Sequence, residues 1–443
     1  MAKVDVLVEV EMDEDSALSR FTAACTSLDA GQRAVEDLLP SDVRGAITHR
    51  PTAKPIPMFA SPPDAATPSQ LSALSAFSTP NESDDVPSAS EVVAVQAEAS
   101  VLEDLRSRPG VTVWPNSAIT LFNVDCAPFR PGVSVDVIQE QLDLADAWAS
   151  GHRGKGVVVG IVDSGIDGTE YPVAGGFDRA GGQAPGAAAI DSHGSMCAAD
   201  VLVAAPDATL YDYPFLGQRS SSALAMFSAV LEQRRRDGTP HVVNNSWGFV
   251  AVPTQDDDPA NEIWNIEHPL HRKIREVIVS GAPVLFAAGN CGEPCPSGNC
   301  HESSVGPGIS IHGSNSLDEV ITVAAVNSDG DRIGYSSQGP GMFAQQKPDI
   351  AAYSHFFGNF GPGRPAGLAQ PFDNGTSAAC PVASGVVALM LSAFPSAPPA
   401  VLREALVGVN DGEWSPDTGH GIIHAGASME RMEGMLRGAA LAD

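Results

Sequence analysis

Five short apolar runs, each ending in polar or glycine residues, set the strongest constraint on what this 443-residue chain can fold into. Helical stretches lie between several of the runs, for example at 222–236 and 262–280. Apolar strands that alternate with helices indicate a parallel sheet covered on both faces. The chain therefore predicts an α/β fold, with a mostly parallel sheet flanked by helices. The runs are GVVVGIVDSG (156–165), ATLYDYPFL (208–216), HVVNNSWG (241–248), APVLFAAGN (282–290) and VITVAAVN (320–327).

The polar residues that close these runs are the first candidates for a functional site, because ligands of such sheets bind beyond the carboxyl ends of the strands. Asp163, Ser246 and Asn290 close three of the runs. His193 lies in a loop before the second run, and Ser377 opens a long apolar helix. We expect these side chains to lie near one edge of the sheet.

Four of these residues fit the roles of acyl-transfer catalysis. Ser377 would be the nucleophile at a helix N-terminus, where backbone N–H groups and the helix dipole favour a developing oxyanion. His193 would take the hydroxyl proton and return it to the leaving group, while Asp163 would fix the imidazole tautomer. Asn290 and the backbone N–H of Ser377 would donate to the oxyanion. Taken singly, the residues have simpler interpretations: a helix cap, turns and a surface histidine.

The local sequences around these residues, in their order along the chain, resemble the subtilisin-like serine peptidases. The likeness runs from about residue 139 to residue 395. It implies a subtilisin-like, mostly parallel seven-stranded sheet flanked by helices, and endopeptidase activity. The matching segments are VVVGIVDSGID for the aspartate, SHGSMCAAD for the histidine, VVNNSWG for the substrate-binding strand, FAAGN for the oxyanion residue and NGTSAACP for the serine.

The resemblance assigns catalysis to Asp163, His193 and Ser377 and oxyanion binding to Asn290. It also implies a pocket for the substrate side chain before the scissile bond, with one wall that pairs with the substrate backbone as an added strand. Small residues favour a large apolar side chain there, although a tryptophan would narrow the pocket. No segment matches a calcium loop of the family, so neither a metal nor another cofactor is predicted. The walls are Ser246, Trp247 and Gly248 on one side and Ala287, Ala288 and Gly289 on the other.

Residues 1–125 are predicted to form a small α+β domain that resembles the propeptide of this family, and 126–443 the subtilisin-like catalytic domain. The resemblance implies that the first domain inhibits the second within the same chain. Self-cleavage is expected between Phe122 and Val135, and a permanent accessory domain is the alternative.

Within that first domain the residue pattern predicts a strand at 4–12 and helices at 16–39 and 91–107. Pro109-Gly110 would end the second helix, and short strands would follow. The Pro- and Ser-rich stretch at about 60–90 is typical of an insertion or linker.

Charge narrows the range of partners. The chain has 25 Lys and Arg against 54 Asp and Glu, a net charge of −29. Phosphate backbones and anionic membranes repel such a chain, so we expect a peptide or protein substrate and neither nucleic acid nor membrane. The amino terminus alternates apolar and acidic residues, unlike a secretory signal. A cytoplasmic location is therefore expected, with export by an unusual route as the alternative.

Seven cysteines are present, three of them in a local cluster with a histidine, C-x3-C-x4-C-H. The favoured interpretation of Cys291, Cys295 and Cys300 is free thiols in a tight loop, since a reducing cytosol disfavours disulfides. A disulfide and a metal site are the alternatives. Cys197 and Cys380 are expected to be buried packing residues, with thiol sensitivity of the site as the alternative.

The leading hypothesis for function is a serine endopeptidase that acts through a Ser-His-Asp triad and an acyl-enzyme. One alternative is a dedicated peptide-maturation protease or macrocyclase, because an amine can capture an acyl-enzyme in place of water. The other is a pseudoenzyme that binds peptides without cleaving them. An intact catalytic set argues against the last of these.

Overall fold

The structure is a computed structural model. The predicted helix at 16–39, most of the linker at 60–90 and most of the 122–135 interval lie outside the residues it describes. The described residues are 3–11, 47–49, 56–58, 90–121, 132–177, 183–215, 219–255, 258–362, 371–409 and 413–440.

Strands and helices alternate through the middle of the chain, from residue 158 to residue 287, as the sequence pattern indicates. The strands are β1 (Lys3–Glu11), β2 (Thr48–His49), β3 (Ile56–Met58), β4 (Ser90–Glu98), β5 (Val111–Pro115), β6 (Thr120–Leu121), β7 (Val133–Ser134), β8 (Val158–Asp163), β9 (Val173–Gly176), β10 (Thr209–Pro214), β11 (Val242–Asn245), β12 (Trp247–Gly248), β13 (Val284–Ala287), β14 (Ile321–Val326), β15 (Ile350–Tyr353) and β16 (Phe356–Phe357). The helices are α1 (Ala99–Arg106), α2 (Val135–Gln141), α3 (Ala145–Ala149), α4 (His193–Ala204), α5 (Ser220–Asp237), α6 (Pro269–Val279), α7 (Thr376–Ala393), α8 (Pro399–Val407) and α9 (Ala425–Ala440).

A seven-stranded sheet with the order β15-β14-β13-β11-β8-β10-β9 forms the centre of the larger part of the molecule. Every neighbouring pair in it is parallel. The predicted subtilisin-like α/β fold is confirmed. Because the strands are parallel, their carboxyl ends share one edge, and the residues that close the apolar runs lie along it.

Both faces of this sheet are buried, and successive side chains of one strand enter different cores. Ile161 of β8 belongs to the core that contains α4 and α7, whereas Val162 belongs to the core that contains α5 and α6. Leu285 and Phe286 of β13 divide in the same way. This two-sided burial explains why the strands are almost continuous apolar runs.

The amino-terminal strands form a second, antiparallel sheet in the order β2-β4-β1-β5, with β3 also paired to β4. The helix predicted at 91–107 is wrong in its first half, where β4 lies, and correct in its second half, where α1 lies. Val93, Val95 and Ala97 alternate into the core under α1. Such two-residue alternation with β-branched residues suits a strand that has partners on both sides.

The amino-terminal sheet packs against the helical face formed by α5 and α6. Leu7, Met58 and Val92 share one buried cluster with Phe227 of α5 and Ile274 of α6. The predicted boundary at residue 125 lies outside the described residues, so the division at that position stays a prediction.

Helix α7 is long and apolar enough to cross a membrane by length and composition, but 89% of it is buried inside the protein. The N-cap residue of α7 is Gly375, and its φ of 80° is a conformation that glycine adopts readily. The helix crosses α4 closely, because a Cβ atom on Gly385 would lie 2.3 Å from the carbonyl oxygen of Val201. The absence of a side chain at residue 385 therefore sets the distance between the two helices.

Gly→Ala substitutions at this crossing and at an open helical position should have opposite effects on stability. Gly385→Ala would force α7 away from α4 and should destabilise the protein by about 1–3 kcal/mol. Gly434→Ala, in α9, meets no atom within 4 Å and should stabilise it by roughly 0.5–1 kcal/mol. Urea unfolding of both variants in a Ser377→Ala background measures the effects without self-digestion. Equal stability of the two variants would contradict the proposed close crossing.

Candidate active site

The structure brings the predicted site residues to one edge of the parallel sheet. Asp163 is the last residue of β8, Ser246 follows β11 directly, and Asn290 lies just beyond β13. His193 is the first residue of α4, and Ser377 is the second residue of α7. The helices therefore present their N-terminal ends to the carboxyl ends of the strands.

A partly buried hydrogen bond joins the fully buried Asp163 to His193. Nδ1 of His193 lies 2.9 Å from Oδ1 and 3.0 Å from Oδ2 of Asp163. The backbone N–H of Ser164 also donates to Oδ1 over 2.7 Å. Because a carboxylate only accepts hydrogen bonds, the neutral tautomer that fits this contact has its proton on Nδ1 and its lone pair on Nε2. Nε2 is buried and has no hydrogen-bond partner in the described part of the chain.

A glycine follows His193 for a steric reason. A Cβ atom on Gly194 would lie 2.4 Å from the carbonyl oxygen of Gly165, in the loop after Asp163. The N-cap of the helix is Ser192, whose hydroxyl oxygen accepts from the N–H of Ser195. The first turn of α4 thus lies directly against the chain that leaves β8, and this contact sets the position of the imidazole.

Two reciprocal hydrogen bonds connect Ser377 with Ser246. The Ser377 hydroxyl donates to the backbone oxygen of Ser246 over 3.3 Å, and the Ser246 hydroxyl donates to the backbone oxygen of Ser377 over 3.1 Å. Pro381 explains the second bond. Proline has no N–H, so the helix cannot supply a donor to the carbonyl group four residues earlier. The thiol of Cys197 also approaches this oxygen, at 3.7 Å.

The hydrogen bond between the Ser377 hydroxyl and Nε2 of His193 is not formed in this structure, since Nε2 has no partner. Cys197 contacts both residues: its sulfur lies 3.9 Å from Nδ1 of His193 and 3.7 Å from the backbone oxygen of Ser377. Catalytic hydrogen bonds are often long or misaligned without substrate. Rotation of the small Ser377 side chain away from Ser246 is the movement that a triad requires here.

The side-chain amide of Asn290 has a fixed orientation. Its oxygen accepts from the backbone N–H of Thr376 and from the Thr376 hydroxyl, both over 2.9 Å. The N–H of Gly289 in turn donates to the Thr376 hydroxyl oxygen over 3.1 Å. Because two donors fix which atom is the oxygen, the amide N–H group faces the other way. Thr376 was missed by the sequence analysis, although its position next to Ser377 in NGTS was a signal.

The two predicted pocket walls are joined by a residue that the sequence analysis also missed. The amide of Asn315 donates to the backbone oxygens of Trp247 and Ala287, each over 2.8 Å. Ala288 and Gly289 continue from β13 in the second wall, and the Ala288 N–H donates to the Val323 oxygen of β14. Asn315 thus fixes the separation of the walls. Its local sequence, HGSNS, gives no clear signal.

The ring of Trp247 lies in the core. It is fully buried, and it contacts the rings of Phe215 and Phe286 edge to face at centroid distances of 5.6 and 5.1 Å. The backbone of Trp247 and Gly248 forms β12, which pairs antiparallel with β6. Leu121 lies opposite Trp247, and Thr120 lies opposite Gly248. The strand predicted to bind substrate is therefore already paired with β6. We call β1 to β6, with α1, the amino-terminal unit.

The cysteine cluster after Asn290 is cross-linked. Cys291 and Cys300 form a disulfide, and Cys295 is disulfide-bonded as well. The favoured interpretation of free thiols is wrong, because the chain folds back and brings Cys300 onto Cys291. Cys197 and Cys380 are free and fully buried.

One group of side chains could offer ligands to a metal. Atoms of Asp163, His193 and Cys197 lie within 4.8 Å of one another. Asp163 and Nδ1 of His193 already satisfy each other by their hydrogen bond. Burial, and then the charge of Asp163, raises the pKa of the Cys197 thiol well above its usual value, so the thiol stays protonated. A protonated thiol is a poor metal ligand. The absence of a bound metal stays a prediction.

Comparison with known proteins gives the family. Residues 154–430 match the Subtilase family. The chain belongs to the subtilase family. The matched range contains the four residues predicted to be catalytic and both predicted walls of the pocket, which the structure places near one edge of the parallel sheet of this subtilase.

Individual proteins resemble this chain over more than half of its length. Serine protease AprX of Bacillus subtilis is 28% identical over 62% of this chain, which spans 65% of AprX. Subtilisin DY of Bacillus licheniformis is 28% identical over 58% of this chain, which spans 85% of that protein. The crystal structure of MycP1 with the N-terminal propeptide removed shares the fold, with a TM-score of 0.50 and 21% identity over 66% of this chain and 97% of MycP1.

The orientation of Asn290 by Thr376 predicts a graded effect on catalysis. Thr376→Val keeps the shape of the side chain but removes the hydroxyl, one of the two donors that orient the Asn290 amide, and should lower kcat about three- to tenfold. Thr376→Ser keeps the hydroxyl and should retain kcat within about twofold. Steady-state kinetics on a peptide substrate compare the two variants. Equal kcat for valine and serine would show that the hydroxyl does not orient the amide.

Proposed function

We propose that this chain is a serine endopeptidase that hydrolyses peptide bonds through Ser377, His193 and Asp163. The observation that carries the proposal is the hydrogen bond between the fully buried Asp163 and His193, at the sheet edge where Ser377 and Asn290 also lie. A bond of this kind leaves Nε2 of the imidazole as a base directed away from the aspartate. The subtilase match supports the same reaction.

In the proposed reaction, Ser377 rotates toward His193 and its oxygen attacks the substrate carbonyl carbon while Nε2 takes the proton. Asp163 stabilises the imidazolium that results. The amide N–H of Asn290 and the backbone N–H of Ser377 donate to the oxyanion. Nε2 then gives its proton to the leaving amine, and water attacks the acyl-enzyme in a second cycle of the same transfers.

The proposed substrate is an extended peptide that adds a strand to β12. The pairing of β6 with β12 supports this mode, because it shows that the β12 backbone accepts an antiparallel partner. Ile119, just before β6, and Leu121 within it are buried, whereas Thr120 between them is partly exposed. Such alternation is typical of an extended strand whose every second side chain enters the protein.

The occupied strand leads to a second part of the proposal: the amino-terminal unit is an intramolecular inhibitor. A substrate cannot pair with β12 while β6 is in place. Polar contacts between the unit and the rest of the chain support the same proposal. Arg272 of α6 contacts the buried Glu9 of β1 over 2.6 Å, and Ser117 donates to the buried Glu262 over 2.9 Å.

We propose that self-cleavage occurs between Phe122 and Val135, near the beginning of that interval. β6 ends at Leu121, which lies opposite Trp247, the residue after Ser246. The Ser246 backbone oxygen is the atom that accepts from the Ser377 hydroxyl. We therefore propose that the cleaved bond follows closely after β6, at the start of this interval. The cytoplasmic location and the absence of nucleic-acid and membrane partners stay predictions.

The nucleophile assignment predicts two results for Ser377→Ala. A fluorophosphonate probe should label the wild type and fail to label the variant, because only the Ser377 oxygen is activated. The wild type should yield a shorter species with a new amino terminus near residue 123, and the variant should stay at full length. Gel fluorescence and intact mass measure both.

Failure of the probe to label processed, folded wild type would favour the peptide-binding pseudoenzyme. Labelling without a shorter species would retain the peptidase and reject self-cleavage. Labelled enzyme that joins an added amine to a peptide in preference to hydrolysing it would favour the macrocyclase.

The inhibitor assignment predicts a gain of activity in Arg272→Ala. The substitution leaves Glu9 buried without its cation, and the loss of one partner from such a pair is strongly destabilising. The amino-terminal unit should then leave β12 more readily, and the initial rate on an added peptide should rise about tenfold or more. Arg153→Ala is the control, because Arg153 pairs with the exposed Asp207. Wild-type rates in both variants would contradict intramolecular inhibition by this unit.

A further inference from the structure

Two carboxyl groups meet behind the candidate active site, and the proposed mechanism uses neither. Asp200 lies in α4, the helix that begins with His193, and Asp373 lies in the loop that leads to Ser377. A Cβ atom on Gly358 would lie 2.1 Å from Oδ2 of Asp373 and 2.9 Å from Oδ1 of Asp200. The two side chains thus converge from different elements on the small space that the glycine leaves.

Asp200 is in a place where an ionised carboxylate is unfavourable. Its side chain is fully buried, and neither oxygen has a hydrogen-bond donor in the part of the chain that the structure describes. A buried charge without a donor or a counter-ion is strongly destabilising, so such a group becomes neutral. A neutral carboxylic acid carries one O–H group, and that group needs an acceptor.

Asp373 supplies the acceptor. The backbone N–H of Asn359 donates to its Oδ2 over 2.6 Å, and the N–H of Phe360 donates to its Oδ1 over 2.7 Å. Backbone donors favour the ionised form of a carboxyl group. Two carboxyl groups in contact hold one proton between them, and these donors assign the charge to Asp373 and the proton to Asp200.

Within the described residues, the histidine, thiol and phenol groups named next, which lie on elements around the pair, are neutral. Burial lowers the pKa of His355, whose backbone N–H donates to the Asp373 oxygen, to about 4. Burial keeps the thiols of Cys197 on α4 and Cys380 on α7 protonated by raising their pKa values. The hydroxyl of Tyr171 donates to Asn359 and carries no charge. Burial, and then the charge of Asp373, raises the pKa of Asp200 well above its usual value.

We propose that Asp200 is a positioning residue, whose protonated carboxyl group donates to Asp373 and thereby holds the helix of His193 against the loop of Ser377. The positioning role rests on the proposed peptidase function, whereas the shared proton does not. The pair acts on the reaction only through the relative placement of the imidazole and the hydroxyl.

The shared proton gives the sign of a pH effect. An aspartate has a pKa near 3.9 in the unfolded chain, below that of Asp200 in the folded protein. The folded state therefore binds one more proton over the range between these two values, and the contribution of Asp200 to stability falls as pH rises through it. Asp200→Asn donates the same hydrogen bond from an amide that does not titrate, so its stability lacks this fall.

The first experiment compares full-length Ser377→Ala with the same chain carrying Asp200→Asn, by urea unfolding from pH 5 to pH 9. The folding equilibrium constant of the variant, relative to its parent, should rise by about tenfold per pH unit, until Asp200 ionises in the folded parent. Asp207→Asn, an exposed aspartate, is the control and should show a ratio that is flat with pH. A flat ratio for Asp200→Asn as well would overturn the shared proton.

A measurement on the parent protein alone guards against a variant that does not fold. The infrared spectrum of full-length Ser377→Ala at pH 8 should contain the carbonyl band of a protonated carboxyl group, which ordinary aspartates lack at that pH. The absence of the band would overturn the proposal. A change in the pH dependence of unfolding on addition of calcium or sodium ions would also overturn it, since a bound cation would then compensate the two carboxylates.

The second experiment tests positioning in the active chain. Asp200→Ala, which cannot donate, should lower kcat at least tenfold and change KM less than twofold, whereas Asp200→Asn should restore most of kcat. Equal losses in the two variants, or a loss confined to KM, would reject the positioning role. The serine probe keeps this distinct from failure of the peptidase itself, because a chain without peptidase chemistry would leave even the wild type unlabelled.

Discussion

The rest of the site depends on the hydrogen bond between a fully buried Asp163 and Nδ1 of His193. A carboxylate at the end of a buried strand is stable only with donors around it, and the imidazole and the Ser164 N–H provide them. The first turn of α4 must therefore lie against the end of β8, and the glycine after His193 permits that approach. The contact between β8 and α4 and the orientation of the imidazole thus follow from one requirement, hydrogen-bond donors for one buried carboxyl group.

The serine loop is held by a different kind of constraint. Pro381 deprives the Ser377 carbonyl of its helical donor, and Ser246 replaces that donor. Thr376 meanwhile satisfies the oxygen of Asn290. The start of α7 is thus tied through polar groups to the ends of β11 and β13, the two strands that flank the proposed substrate pocket. These hydrogen bonds fix the N-terminal end of α7, and with it the position of Ser377, although the rest of the helix is an apolar element of the core.

The fold and the position of the site could be predicted because they arise from local patterns. A buried parallel strand is a continuous apolar run, and the polar residue after it must lie at the sheet edge, so Asp163, Ser246 and Asn290 were identified correctly as neighbours of that edge. The segment 90–98 was predicted to be helical, whereas it is a strand. Its pairing with β1 on one side and with β2 and β3 on the other, which stabilises the strand, is not visible in the local sequence. Asn315 and the Asp200–Asp373 contact escaped prediction for a related reason, since each joins segments far apart in sequence through single polar contacts.

The disulfide between Cys291 and Cys300, nine residues apart, begins at the residue that follows Asn290. It closes a small covalent ring whose first atom is adjacent to the proposed oxyanion donor, and the Ser297 N–H inside the ring donates to the Asn290 backbone oxygen over 2.8 Å. Disulfides persist where the surroundings are oxidising. A thiol-rich cell interior would open the ring and leave Asn290 at the end of a longer, less restrained loop, so the redox state of the compartment would become a determinant of the enzyme's turnover.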